Sequence, residues 1–538
     1  MTDLIYTAIT FAPVQGFIEK SRKLRDLYGS SFILSYLAES LCRVAQAQLQ
    51  DSQAVISPFL LNTVQGTPNQ ILIRGDFPKA EARRAFYTAW RGILTECRLW
   101  IEQTLPEAQY GWCYFWKKDW DQWSNYTWEF FWAQGSSIPV AKQQLSAAKR
   151  SRGWTGINWM GESSTLSGTD AIAWYGLGQQ ANAGKRIAPK ERHLSQEKDQ
   201  IKDFYAQLSA KLGETLIDPN EELSIPELAK RVVMHPQFIH HVRDRLPGIQ
   251  PPRTFRDLNR MGSNDWTGWF MGDGDRAGVY LSQQDEAGIR RFSQTMREWG
   301  KTLIDHEQDY LPQGRLIYAG GDDFMGIFYP LTAPLTAQDC LHWFYRFRAD
   351  VWQQATKPIT ASIGFVWASP NVPQRDVLQH CREAEQSAKK HGRDRLAVRI
   401  LFSGGNALEW VCPWWFLEAV MEGYCDRNGD QGSAKHPKWN HLYNDVAVLE
   451  ARHAFAGNRT EVALALFEVY FGKDNRTTLE QHCWDTTDKT GILGNQEADC
   501  KNTVQAMNDW IINLAKVGFH LAAGRKTTAI PPQLVAAS

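Results

Sequence analysis

The sequence predicts an α+β chain: two ferredoxin-like palm domains, a mostly helical domain between them and a C-terminal helical bundle. Three observations carry this. Apolar runs and amphipathic segments follow the β-α-β-β-α-β order, in full toward the C-terminal half and as far as its second helix near the N-terminus. Two adjacent carboxylates sit on a glycine turn between two of the apolar runs. Finally, 538 residues, 43% of them hydrophobic and none in a low-complexity tract, are enough for three or four domains.

In chain order, Leu4 to Phe11 reads as a strand, followed by helical sequence to about Gln50. Two apolar runs, Ala54 to Asn62 and Gln70 to Ile73, precede a helix from Lys79 to about Thr104. The turn between those runs, Thr63 to Asn69, carries no carboxylate, so this first unit, residues 1–145, is expected to lack a metal site. A Gly/Ser-rich, basic stretch from Ala147 to Gly168 marks a boundary, and Ala171 to about Arg245 is mostly helical; residues 146–254 form the expected intervening domain. The second palm is expected over residues 255–405. It opens on an apolar strand ending in Asp273-Gly274-Asp275, followed by an amphipathic helix with Ile289, Phe292, Met296, Trp299 and Leu303 three or four apart. After the carboxylate hairpin come a helix near Ala337 to Gln354, a strand from Ile359 to Trp367, a helix from Asp376 to Lys390 and a strand from Leu396 to Phe402. Residues 406–538 read as helical, Thr460 to Phe471 having the apolar density of a packed bundle helix.

The hairpin is Tyr318-Ala319-Gly320-Gly321-Asp322-Asp323-Phe324, flanked by Leu316 and Ile317 on one side and Met325, Ile327 and Phe328 on the other. Two carboxylates held about 4 Å apart repel by roughly 4 kcal/mol at an effective dielectric near 20, so a partly buried pair calls for a cation. Hard oxygen ligands suit Mg²⁺ or Mn²⁺. Gly320 and Gly321, without Cβ atoms, would let a triphosphate approach the backbone. The competing reading is a solvated turn, for which Gly and Asp are ordinary residues. Asp273, at a strand terminus one β-α-β step upstream, supplies the third carboxylate that a palm needs.

Overall charge excludes little. Lys plus Arg and Asp plus Glu both number 59, so no global balance demands a nucleic acid or a membrane surface. No run approaches the roughly 20 apolar residues of a membrane span, and the N-terminus lacks a charged-then-apolar signal, so a cytoplasmic protein is expected. Nine cysteines without a Cys-x-x-Cys pair predict buried thiols rather than a disulfide framework. Trp112, Trp116, Trp120 and Trp123 could stack bases, but packing is the favoured role. The run Lys20, Arg22, Lys23 and Arg25 reads either as a contact to an RNA backbone or a neighbouring subunit, or as an exposed helix face.

Phe11-Ala12-Pro13-Val14-Gln15-Gly16-Phe17-Ile18 and Ser21-Arg22-Lys23-Leu24-Arg25-Asp26-Leu27-Tyr28-Gly29-Ser30 resemble the first-palm signature of the large subunit of type III CRISPR effector complexes, in its Cmr-like branch. Asp273-Gly274-Asp275 and Gly320-Gly321-Asp322-Asp323 fall where that family carries its metal-binding motifs, and Leu223 to Arg231 resembles its intervening helical segment. The resemblance implies a subunit that joins crRNA and target RNA in a multi-subunit complex with repeat-binding backbone and small subunits, and that converts ATP into cyclic oligoadenylates when target RNA binds. It implies two Mg²⁺ or Mn²⁺ ions on Asp273, Asp322 and Asp323, and nucleotide contacts from Gly274, Gly320, Gly321 and Lys389. Lys389 also reads as a solvated helix end.

Two departures from the family pattern matter. The first palm starts at about residue 4 and no His-Asp pair occurs, so nuclease activity of the histidine-aspartate type is not expected. Where the family often has a zinc-binding Cys-x-x-Cys-Gly, this chain reads Ser164-Thr165-Leu166-Ser167-Gly168, so no structural zinc is expected. A catalytically silent large subunit that only organises RNA remains an alternative. A diguanylate-cyclase-like enzyme is a further one, since the hairpin differs from that family's only by aspartate for glutamate.

Overall fold

The structure is a computed structural model that describes residues 4–153, 156–157, 159, 161–179, 194–253, 265–330, 335–427, 439–456, 459–486, 489–494 and 503–522. The chain forms two compact units: residues 1–258 with 281–301, and residues 259–280 with 302–538.

The first unit is built on a four-stranded antiparallel sheet of β1 (Tyr6–Ala12), β2 (Val55–Ser57), β3 (Ile71–Arg74) and β4 (Glu129–Gly135), in the order β2-β3-β1-β4. This is the ferredoxin-like arrangement, and β4 completes the β-α-β-β-α-β order that the sequence shows only as far as its second helix. Side chains alternate across β1. Ile9 and Phe11 face one core, together with residues of the helices Leu24–Leu49, Lys79–Thr104, Leu194–Leu212 and Ile225–Val232. Tyr6 and Ala8 face a second cluster with residues of helix Ile138–Arg150 and with Ile289. The helical region expected as a separate domain therefore shares its core with the first sheet. Trp112, Trp116 and Trp120 are buried there, Trp112 stacked between Tyr110 and Tyr175 with centroids 4.9 and 4.5 Å away, which fits packing and leaves no face for a base.

Ile289 belongs to the helix Glu286–Asp305, which the sequence places inside the second palm. Its residues up to 301 belong instead to the first unit. Arg290 donates to the Val55 carbonyl at 2.9 Å, and the buried Arg297 donates to the carbonyls of Phe59 and Leu60 at 3.0 and 2.6 Å and to that of Gly66. The carboxylate-free turn of the first palm is thus wrapped around a guanidinium. Helical periodicity shows that a helix has an apolar face; it does not show which sheet that face will cover.

The two N-terminal motifs and the segment 223–231 lock together. Arg231, fully buried, pairs with Asp26 and with Glu221 at 2.9 Å, while Asp26 accepts the N–H groups of Arg22 and Lys23 at 3.0 and 2.8 Å. Lys230 donates to the carbonyls of Phe17 and Lys20 at 2.6 and 2.7 Å. A Cβ on Gly29 would lie 2.1 Å from the Lys230 carbonyl oxygen, so the helices approach at a position open only to glycine. The basic run is engaged inside this unit: Lys20 pairs with Asp170 at 2.7 Å, Lys23 with Glu221 at 3.1 Å, Arg22 donates to the Thr165 carbonyl and Arg25 is buried. In the segment expected to lack zinc, Ser164 and Ser167 hydroxyls lie 3.2 Å apart and Ser164 donates to Glu227.

The second unit holds a six-stranded sheet: β5 (Thr267–Gly274), β6 (Gly314–Ala319), β7 (Phe324–Phe328), β8 (Ala361–Ala368), β9 (Arg395–Leu401) and β10 (Ala407–Pro413), in the order β10-β9-β8-β5-β7-β6. The β8-β5-β7-β6 part is again ferredoxin-like. Helix Gln374–Lys390 crosses over to bring β9 parallel to β8, and β10 returns as a hairpin. The sheet therefore runs past residue 405 into sequence that reads as helical. Helices Trp414–Glu422, Asn440–Ala451, Glu461–Gln481 and Thr503–Ala522 follow; Trp510 of the last donates to the Val411 carbonyl on β10 at 2.8 Å. Among the described residues no helix is long and apolar enough to cross a membrane. Five of the eight described cysteines are buried and all eight are free.

Candidate active site

Strand register gathers the candidate carboxylates. β5 runs antiparallel to β7 with Gly272 opposite Phe324, so Asp273 and Gly274, next along β5, lie level with Asp322 and Asp323, which precede Phe324. The hairpin is tight: Ala319 pairs with Phe324, and Gly320 N–H donates to the Asp323 carbonyl at 3.2 Å. Gly274 N–H donates to the Asp322 carbonyl at 3.0 Å, and a Cβ there would meet Asp322 Cβ at 2.8 Å. Gly274 therefore lets the two strand ends meet, and its N–H is engaged within the protein.

Helix Gln374–Lys390 adds the cation. Lys389 is ion-paired with Asp273 and lies 2.5 Å from Glu385 Oε1 one turn back. Tyr318 donates its hydroxyl to Asp323 Oδ1 at 3.0 Å. Burial and the charge on Asp273 push the Asp322 carboxyl up to about 6. Asp323 reaches solvent, yet the protein packed around its carboxyl desolvates it, and repulsion from Asp273 and Asp322 helps push it to about 8 against the Tyr318 hydrogen bond. Asp273 is raised by burial, with Lys389 offsetting part of the effect. Burial disfavours the charge on Lys389, but Asp273 and Glu385 outweigh it and raise its ammonium above the ordinary lysine value. The cluster is short of positive charge.

Among the described residues no three His, Cys, Asp or Glu side chains lie close enough to cage an ion. In donor type and charge the site nonetheless fits a divalent cation: it offers oxygen-only acidic ligands that repel one another, one of which has already drawn in an ammonium. Asp275 differs. It is 4% exposed and accepts hydrogen bonds from Thr360 Oγ1 at 2.7 Å, Ser362 Oγ at 2.7 Å and Asp394 N–H at 2.9 Å.

Two family models match this sequence: Cas10/Cmr2, second palm domain, over residues 267–397, and CRISPR-associated protein Cmr2, N-terminal, over residues 6–74. The chain is thus similar to Cas10/Cmr2 proteins over these two regions. The first match opens on the first residue of β5 and includes Asp273, Asp322, Asp323 and Lys389; the second runs from β1 to the end of β3. No curated protein matches the sequence. Among solved structures, a chain of the type III-B Cmr-beta complex in its apo state is 10% identical, with 96% of this chain and 82% of that one covered and a TM-score of 0.56. A chain of the Csm1-Csm4 cassette in complex with cA4 is 13% identical, covering 97% and 70%, with a TM-score of 0.49. One from the Csm1-Csm4 subcomplex of the type III-A CRISPR-Csm interference complex is 12% identical, covering 97% and 70%, with a TM-score of 0.46. The Cmr-beta likeness supports the fold, and the match over residues 267–397 identifies the second palm.

Glu385 escaped sequence reasoning, although its position four residues before Lys389 on a helix is the spacing at which a Glu-Lys pair forms. Tyr318 was legible only as part of a strand; its bond to Asp323 depends on how the hairpin closes.

Proposed function

We propose that this chain is a Cas10/Cmr2 family member, the large subunit of a crRNA-guided type III complex, and that its hairpin site makes cyclic oligoadenylates from ATP on target-RNA binding. The observation that carries the reading is the meeting of Asp273, Asp322 and Asp323 with Lys389 at one end of the sheet that matches the second palm. In the reaction the 3′-oxygen of one ATP bonds to the α-phosphorus of another, the α–β phosphoanhydride breaks, and pyrophosphate leaves; a last intramolecular attack closes the ring. Asp273, Asp322 and Asp323 would hold divalent ions, which supply Lewis acidity at the attacking hydroxyl and the leaving pyrophosphate. Lys389, charged and close to the end of its helix, is suited to neutralise triphosphate oxygens. Glu385 keeps that ammonium close to the carboxylates.

The reading includes crRNA, target RNA and further protein subunits as partners; the Cmr-beta chain that this one resembles in fold comes from a multi-subunit complex. The test is to purify the chain with co-expressed partners, add cognate target RNA, ATP and Mg²⁺, and look for cyclic oligoadenylates by mass spectrometry. Product that depends on target RNA and disappears in Asp322→Ala/Asp323→Ala supports the reading. No product under proven target binding makes the chain a silent organising subunit, and RNA-independent dimerisation of GTP makes it a diguanylate-cyclase-like enzyme.

A further inference from the structure

The second aspartate of Asp273-Gly274-Asp275 sits two residues from a candidate metal ligand, yet its surroundings are of a different kind. Its two carboxylate oxygens are both engaged by protein donors, Oδ1 by Ser362 and Oδ2 by Thr360 and the backbone of Asp394, after helix Gln374–Lys390. Asp275 N–H also donates to the Thr360 carbonyl at 2.7 Å. That helix ends in a Schellman turn: Arg393 N–H donates to the Ala388 carbonyl at 3.2 Å and Gly392 N–H points to the Lys389 carbonyl at 3.5 Å. Gly392, Arg393 and Asp394 all have positive φ, at 122°, 70° and 49°, and two of the three are not glycine. Such a turn persists only where its surroundings hold it. Asp275 grips its last residue from one side, and Arg348 pairs with the Asp394 carboxylate at 3.3 Å from another.

We propose that Asp275 is a positioning residue for the nucleotide site: its carboxylate ties the Gly392–Asp394 turn to the end of β5, and so holds Lys389 in register with Asp273. This rests on the proposed nucleotidyl-transfer reading, and it separates the two aspartates of one motif into a ligand and a brace.

The two roles respond differently to asparagine. In Asp275→Asn the side-chain oxygen can sit where Oδ2 accepts from Thr360 and Asp394, and the amide can turn toward the Ser362 hydroxyl, which can accept; as a cation ligand, a neutral amide is far weaker. The full chain with its partners is made as wild type, Asp275→Ala, Asp275→Asn and, for reference, Asp273→Asn. Three quantities are measured: hydrogen exchange of the peptide spanning residues 391–395, Mn²⁺ affinity, and KM and kcat for ATP. The expected result is exchange about tenfold faster in Asp275→Ala and near wild type in Asp275→Asn. KM should rise roughly tenfold in the alanine variant with a smaller change in kcat, and Mn²⁺ affinity should be kept in Asp275→Asn but lost in Asp273→Asn. The proposal is overturned if Asp275→Asn loses Mn²⁺ affinity as far as Asp273→Asn does, or if Asp275→Ala leaves the exchange unchanged. Should wild type make no product, the nucleotidyl-transfer reading fails, while exchange still decides the role of Asp275.

Discussion

Replacing Arg231 by methionine probes the lock between the N-terminal motifs and the helical segment. Arg231 and Asp26 are both fully buried, and the guanidinium also bonds Glu221 at 2.9 Å and the Leu216 carbonyl at 2.8 Å. Removing it leaves Asp26 with two backbone N–H donors and, as countercharge, only the neighbouring Lys230, whose ammonium burial pushes down to about 8. Each contact at about 3 Å is worth roughly 5 kcal/mol at an effective dielectric near 20, but the ions gave up hydration to make it, and breaking one side of a buried pair costs about 3–5 kcal/mol net. For a unit of this size 1 kcal/mol moves Tm by about 2–4 °C, so Tm should fall by roughly 10 °C. The deficit must also depend on pH. In wild type, burial raises the Asp26 carboxyl but Arg231 and the N–H donors more than reverse this, so its contribution is present above the ordinary carboxylate range and lost in acid. Without Arg231, burial outweighs the N–H donors and Lys230, the folded state prefers the protonated carboxyl, and stability falls as pH rises. Thermal unfolding at pH 5 and pH 8 should therefore show the larger deficit at pH 8, with partial recovery on adding Asp26→Asn. A Tm within about 2 °C of wild type at both pH values would refute the reasoning, since no buried pair costs so little to break.

The candidate site yields further expectations. Asp322 and Asp323, held up to about 6 and about 8, must release protons to take a cation, so Mn²⁺ affinity should rise by up to about tenfold per pH unit between pH 6 and 8, as titration calorimetry would show. Without metal the same raised carboxyls make the fold less stable as pH climbs toward 8, because the unfolded chain releases those protons more readily; Mn²⁺ should reverse that slope in thermal melts. Lys389→Met should raise KM for ATP by roughly tenfold or more, a loss of about 1.4 kcal/mol, while leaving the far-ultraviolet spectrum unchanged. Gly29→Ala should lower Tm by several degrees even though alanine favours helix, because its Cβ would strike the Lys230 carbonyl oxygen at 2.1 Å.

Much of the site was legible because its parts are local. A hairpin with paired carboxylates at its tip, a strand ending in aspartate and a helix ending in lysine each announce themselves over fewer than twenty residues, and the order of elements places them on one sheet. Glu385 shares a helix face with Lys389 and was within reach of the same reasoning. Asp275 was not, because its hydroxyl partners lie 85 and 87 residues away and its third donor is a backbone N–H of the turn after the crossover helix. β4 and β10 were missed for another reason. β4 alternates buried and half-buried residues weakly, and β10 has exposed and half-buried residues at its start, so neither shows the strong apolar run of β8.

By itself the sequence determined that the chain is α+β, that a ferredoxin-like order occurs in both halves, where the carboxylate hairpin stands and which family the motifs resemble. Only the tertiary structure decided that the helix carrying Arg297 covers the first sheet, that Lys20, Arg22, Lys23 and Arg25 are engaged within their own unit, and that the two aspartates of one motif face different partners. The reason is physical. Periodicity and turn chemistry act over a few residues and are written in neighbouring positions, whereas the face a helix covers and the partner a charge finds depend on residues brought together from distant parts of the chain.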